Sequence, residues 1–184
     1  MKLKKYLQET ARYFLRSYPV IRPYVKTVER LYRMTDKDLH DYNERRFVAI
    51  FRKAYDHSPF YHRLYTDAGV NKGDIICLED IMKLPVITKD MVRKHAAEIM
   101  TLPRCCLMAG HTSGTTGTPL TIYENWASIW WERAYGYYFQ KLCGFNEGQP
   151  LITLRGNLDK SILSLKVHIS NTLFLSSYNI NAQT

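Results

Sequence analysis

The chain has 184 residues, which sets it at no more than one ordinary domain, and at 46% hydrophobic and 13% aromatic it can bury a core. Disorder is therefore not the default reading. It carries 26 basic against 17 acidic residues, a formal +9. Residues 1–33 hold nine Lys/Arg against Glu9 and Glu29, so +7 of that excess lies at the N-terminus. No run of about 18 apolar residues reaches the length of a spanning helix. The N-terminus lacks the apolar block of a signal peptide, which reads as cytoplasmic. Cys77, Cys105, Cys106 and Cys143 form no C-x-x-C pair, and adjacent Cys105 and Cys106 are poorly placed to bridge. No disulfide framework or zinc site is expected, only buried or idle thiols.

In chain order, residues 2–18 form an amphipathic helix pattern. Leu3, Tyr6, Leu7, Ala11, Phe14, Leu15 and Tyr18 recur at three and four, with Lys and Arg between them. Such a face suits either packing on the protein itself or an anionic membrane surface. Tyr18-Pro19 and Arg22-Pro23 are expected to break it. A second helix is expected over 37–56, capped by Asp36 or Asp38, with Phe47, Ile50, Phe51 and Ala54 on its core face. It stops at Ser58-Pro59, and Ala68-Gly69 marks a turn. His57 and His62, on either side of Pro59, read as ordinary hydrogen-bonding histidines.

Pro85 should end a short helix and Thr88 cap the next, with Asp90 favourable in its first turn. Met91, Val92, His95, Ala96 and Ile99 give that segment a buried stripe. Residues 107–123 then read as strand, tight loop, strand. The loop holds Gly114 and Gly117 and five hydroxyls: Thr112, Ser113, Thr115, Thr116 and Thr118. Glycines let successive N–H groups turn toward one anion, hydroxyls supply further donors, and Pro119 adds no competing N–H. The composition suits a phosphate, but equally an ordinary Ser/Thr/Gly turn, and it is not a Walker A loop.

Asn125 should cap a helix from Trp126 to about Leu142, ending near Gly144. Its many aromatics suggest burial on several sides, with Arg133 paired to an acid. A nucleic-acid stacking platform is disfavoured, since Arg133 and Lys141 are the helix's only cations. Leu151–Leu154 reads as a short buried strand, and Leu165–Ile180 as strand-like. The strand–helix–strand order gives an α/β class.

Thr112-Ser113-Gly114-Thr115-Thr116-Gly117-Thr118-Pro119 resembles the phosphate-loop signature of adenylate-forming enzymes. Leu84-Pro85-Val86-Ile87-Thr88-Lys89 is similar to the segment preceding that loop in the phenylacetate–CoA ligase-like branch, and the order of segments from about residue 40 resembles its CapK-type members of capsular-polysaccharide biosynthesis. The resemblance implies a partial large N-terminal domain of the ligase fold: a basic helical N-terminus over 1–35 and an incomplete AMP-binding-type domain over 36–184, without the C-terminal domain. It implies activation of a carboxylic acid as its acyl-adenylate, with ATP and Mg²⁺ as cofactors and Thr112 to Thr118 on the β/γ-phosphates. Family loops often carry a lysine beside the proline, where this chain has Thr118 and Leu120. The family's downstream catalytic residues have no counterpart here, so the resemblance implies an N-terminal part inactive alone. A basic peripheral binding module and a truncated remnant are the competing readings.

Overall fold

In the computed structural model, residues 11, 14–15, 17–112, 120–146, 149–155, 164–167 and 171–177 are described, with the backbone alone for 155 and 164–167. Most of the amphipathic stretch 2–18 lies outside them. The chain groups into two compact units, Met1–Val28 with Trp130–Thr184, and Glu29–Ile129. The architecture mixes helices with two small sheets, compatible with the α/β class.

Where Pro19 and Pro23 were expected to break the chain, a helix α1 runs Tyr18–Tyr32. Pro19 sits in its first turn, where a missing N–H costs nothing. Pro23 lies inside and removes a ladder bond, a cost of about 3 kcal/mol. Against that, Ile21, Val25 and Val28 become buried, each worth about 1.5–3 kcal/mol. Burial wins, because a partner supplies the other half of the core. That partner is helix α5, Trp126–Leu142, whose Ala134 and Tyr138 complete the cluster. Tyr24 packs edge-on against Trp131 at 5.3 Å, and the Trp130 indole N–H donates to the Leu15 carbonyl at 2.8 Å.

Helix α2 spans Asp36–His57, close to the expected limits, but its cap is Thr35. The Thr35 hydroxyl oxygen accepts from the Asp38 N–H at 3.2 Å, while Asp36 and Asp38 occupy the first turn and favour the helix dipole. Phe51 and Ala54 are buried and Phe47 half-buried, with Tyr65, Val70 and Ile75 completing the core. Ile50, expected in that core, is exposed, because it lies at the rim of the stripe rather than on its centre.

Helix α3, Pro59–Asp67, follows at once. Ser58 caps it, accepting from the Tyr61 N–H at 3.3 Å, and its hydroxyl donates to the Glu98 carbonyl at 2.8 Å. His62 Nδ1 lies 3.1 Å from the Tyr55 carbonyl, the hydrogen-bonding role expected of it. Gly69 takes φ +75° at the expected turn, a backbone conformation open to glycine. A 3₁₀ turn covers Glu79–Lys83, just before Pro85. Asp80 clasps it: one oxygen accepts from the Ile76 and Cys77 N–H groups at 2.8 and 3.1 Å, the other pairs with Lys83 at 2.8 Å. The Lys83 ammonium and those N–H groups hold the Asp80 carboxyl well below the usual carboxylate range.

Thr88 caps helix α4, Lys89–Lys94, by accepting from the Met91 N–H at 3.2 Å. The stripe expected over 91–99 is only half-buried, since the helix ends at Lys94 and turns continue from there. His95 packs on Phe60 with ring centroids 5.1 Å apart and lies 3.5 Å from Glu98, satisfied at the edge of the stripe. The cysteines are free thiols, and Cys105, Cys106 and Cys143 are exposed rather than buried.

Strands β1, Met108–His111, and β2, Thr121–Glu124, pair antiparallel. The second sheet has the order β3-β5-β4, from β3 (Leu151–Arg155), β4 (Ser164–Val167) and β5 (Thr172–Ser176). β3 runs parallel to central β5, and β4 antiparallel to it. β3 is not the buried strand its composition suggests: it is an edge strand, and Ile152 and Leu154 are 64% and 58% exposed. Helix α5 likewise buries one face, leaving Tyr135, Phe139 and Leu142 exposed. Arg133 lies on that open side, exposed and without an ion pair among the described residues. Among the described residues no helix is long and apolar enough to cross a membrane.

Candidate functional site

The strand–loop–strand reading of residues 107–123 holds at both ends of the loop. Met108 pairs with Glu124, Ala109 with Tyr123, Gly110 with Ile122 and His111 with Thr121, so the strands deliver the chain to the loop in fixed register. Beyond the last pair the neck closes once more. The Thr112 N–H donates to the Leu120 carbonyl at 3.0 Å, and the Leu120 N–H donates back to Thr112 Oγ1 at 3.1 Å. A side-chain oxygen thus replaces the backbone carbonyl of a further ladder pair. In the sequence, seven residues, Ser113 to Pro119, join Thr112 to Leu120. Of the predicted site residues, Thr112 is placed by this neck, while Ser113, Gly114, Thr115, Thr116, Gly117 and Thr118 lie outside the described residues.

Two groups near the hairpin were not singled out by sequence. His111 is the last residue of β1, and its Nδ1 lies 3.2 Å from Thr121 Oγ1, so the imidazole stands at the mouth of the loop. The signal for it was adjacency to Thr112 once the strand is assigned. Arg104 belongs to a 3₁₀ turn, Arg104–Cys106, just before β1. Its guanidinium lies 4.6 Å from the centre of the Tyr123 ring and donates to the Leu107 carbonyl at 2.9 Å. Tyr123 pairs with Ala109, two positions back from the loop, so Arg104 braces the far end of the hairpin.

The exit from the hairpin is equally local in origin. Asn125 Oδ1 accepts from the Ser128 N–H at 2.8 Å and from the Ser128 hydroxyl at 2.9 Å, starting α5 two residues after β2. That helix ends at Leu142, and Gly144 just beyond it takes a φ of +81°, which needs glycine. Chemically, the sequence that joins the two ends of this closed neck is a short loop rich in donors, and His111 ends the strand that leads into it. Such a loop suits an anion with several oxygens.

The chain is similar to proteins named phenylacetate-coenzyme A ligase. Over 100 residues the chain is 30% identical to phenylacetate-coenzyme A ligase of Escherichia coli, half of this chain (50%) and 23% of that enzyme. The same enzyme of Thermus thermophilus is 33% identical over 81 residues, 43% of this chain and 18% of the relative. The chain is a distant relative of these ligases. It is also related to protein CapK of Staphylococcus aureus, 28% identical over 133 residues, 72% of this chain and 29% of CapK. It therefore spans less than a third of the length of these curated relatives. No protein-family model matches it.

Proposed function

We propose that the chain carries the triphosphate-binding part of an ATP-dependent ligase that activates a carboxylic acid as its acyl-adenylate. The observation that carries this reading is the hairpin: two strands in register and a Thr112–Leu120 clasp, joined in the sequence by Ser-Gly-Thr-Thr-Gly. Relatives named phenylacetate-coenzyme A ligase support it. In this reading Ser113, Thr115, Thr116 and Thr118 donate through hydroxyls to the β/γ-phosphates of ATP. Gly114 and Gly117 donate through backbone N–H, and Mg²⁺ offsets the remaining charge. Thr112 has a narrower part. Its N–H and hydroxyl oxygen are taken by Leu120, which leaves only its hydroxyl hydrogen to donate. The narrower placing, in cell-surface polysaccharide biosynthesis, follows the CapK likeness.

The test is binding of ATP with Mg²⁺ to this chain. The nucleotide should raise the melting temperature and protect the 113–119 loop from proteolysis. Ser113→Ala and Thr116→Ala should each weaken binding by about tenfold, the loss of one hydrogen bond to a charged group. If ATP with Mg²⁺ neither protects nor stabilises this chain, nor a chimera completed with the rest of a relative, the reading is wrong.

A further inference from the structure

We propose that His40, Glu44, Cys77 and Glu79 form a structural binding site for a divalent metal ion of the zinc type. Carboxylate oxygens of Glu44 and Glu79 and the Cys77 Sγ lie within 4.8 Å of one another. His40 Nε2 lies 3.7 Å from Glu79 Oε1, beside this group rather than within it, and turning the side chain inward would make the imidazole the fourth donor. These residues belong to no part of the phosphate-loop hairpin, and the proposal stands without the ligase reading.

The donors come in two pairs from two elements. His40 and Glu44 are four apart on α2, so they lie on the same face one turn from each other. Cys77 and Glu79 are two apart on the strap that leads into the 3₁₀ turn. The strap is fixed by its backbone N–H groups, and the Cys77 thiol meets the Asp80 and Glu79 carboxylates beside it. Asp80 accepts from the Ile76 and Cys77 N–H groups, and the Leu78 N–H donates to Glu44 Oε2 at 3.2 Å. That last bond ties the strap to α2 and orients Glu44, leaving its other oxygen for an ion.

The donor set decides the ion. Magnesium and calcium take six or more oxygens, whereas sulfur, nitrogen and carboxylate oxygen in a set of four suit zinc. A solvated acidic patch would account for Glu44 and Glu79, but not for a half-buried thiol within reach of both. Around tetrahedral zinc the donors stand about 3.3–3.8 Å apart, given bonds of about 2.0–2.3 Å. For Glu44, Cys77 and Glu79, closing from 4.8 Å takes about 1–1.5 Å, within side-chain rotation, and His40 enters by turning its own side chain. Asp41 Oδ1 lies 3.8 Å from His40 Nδ1, on the far side of the ring, where a carboxylate helps hold Nε2 toward a metal. On binding, Cys77 loses its thiol proton to solvent. Two carboxylates and a thiolate then exceed the dication by one negative charge.

The test uses the metal-free 184-residue chain with Cys105, Cys106 and Cys143 replaced by Ser, so that Cys77 is its remaining thiol. Titration with Co²⁺ should give a 1:1 complex with a thiolate-to-cobalt charge-transfer band, displaced by Zn²⁺. Cys77→Ser should abolish the band, and His40→Ala and Glu79→Gln should each weaken binding at least about tenfold. Absence of the band with Co²⁺ in excess, or equal affinity in the His40 and Glu79 variants, overturns the site. A second measurement needs no substitution. Zn²⁺ should slow alkylation of Cys77 in the natural chain while Cys105, Cys106 and Cys143 react as before; an unchanged Cys77 rate also overturns it.

Discussion

The helices around Phe51 and the sheet around β5 treat their apolar residues in opposite ways. In the helical region Phe51, Ala54, Tyr65, Val70 and Ile75 are buried against one another, and Phe51 is only 3% exposed. In the sheet, apolar Ile152 and Leu154 face outward on the edge strand, while the buried residues of central β5 are polar Thr172 and Ser176. The Ser176 hydroxyl is buried with no hydrogen-bond partner among the described residues. Central β5 thus buries polar side chains where the helical core buries apolar ones. Among the described residues, the apolar side chains of the helical region cover one another, and those of edge strand β3 stay exposed.

The strongest way to break this comparison is to substitute both regions and compare the costs. Phe51→Ala should lower the stability of the helical region by about 3–5 kcal/mol, the range for emptying a packed aromatic site. Leu154→Thr should change it by under about 0.5 kcal/mol, because that side chain touches little. Chemical denaturation followed by circular dichroism reads both. Equal losses would mean that β3 is buried in solution and that the contrast is false.

Ser58→Ala sharpens the helical side with a smaller effect. Ser58 is almost wholly buried, caps α3 through Tyr61, and ties that cap to the Glu98 carbonyl. Removing the hydroxyl leaves both an uncapped N–H and a buried carbonyl with one bond fewer. A cost of about 1–2 kcal/mol is expected in the same denaturation experiment. A neutral result would show that water replaces the hydroxyl and that the junction of α2 and α3 is open.

What could be read from sequence was the local chemistry. Thr88 and Asn125 cap where their neighbours demand it, and the strand–loop–strand unit follows from apolar strands around a glycine-rich turn. Thr35 was missed because three capping residues crowd positions 35–38, and only backbone geometry chooses among them. Helix α1 was missed because its reason lies in Ala134 and Tyr138, far along the chain. The burial of Ile50, Ile152 and helix α5 was over-read for a single cause. Periodicity tells which residues share a face, not what covers that face. At the candidate site the donor composition was legible, but the Thr112–Leu120 clasp and the place of His111 required the strand register. The pairing of His40 and Glu44 with Cys77 and Glu79 was invisible to a search for paired cysteines.

Within the helical region the smallest effect expected at neutral pH belongs to Tyr65, and it tests how dry that core is. Burial, and then the neighbouring Tyr61 phenol, push the Tyr65 hydroxyl up to about 12, from an ordinary value near 10. The two rings stack with centroids 5.7 Å apart. Because the folded value is raised, the fold favours the neutral phenol. Its contribution is whole below about pH 10 and is lost as pH rises through about 12. Tyr65→Phe should therefore leave stability at pH 7 within about 1 kcal/mol, since the ring keeps its volume. The alkaline loss between those two pH values should become shallower in the variant. In the natural chain, tyrosinate absorbance should show one phenol ionising late, only as the helical region unfolds. If the slope of stability against pH is unchanged in Tyr65→Phe, water reaches that hydroxyl in the folded chain, and the helical core is more open than its packing implies.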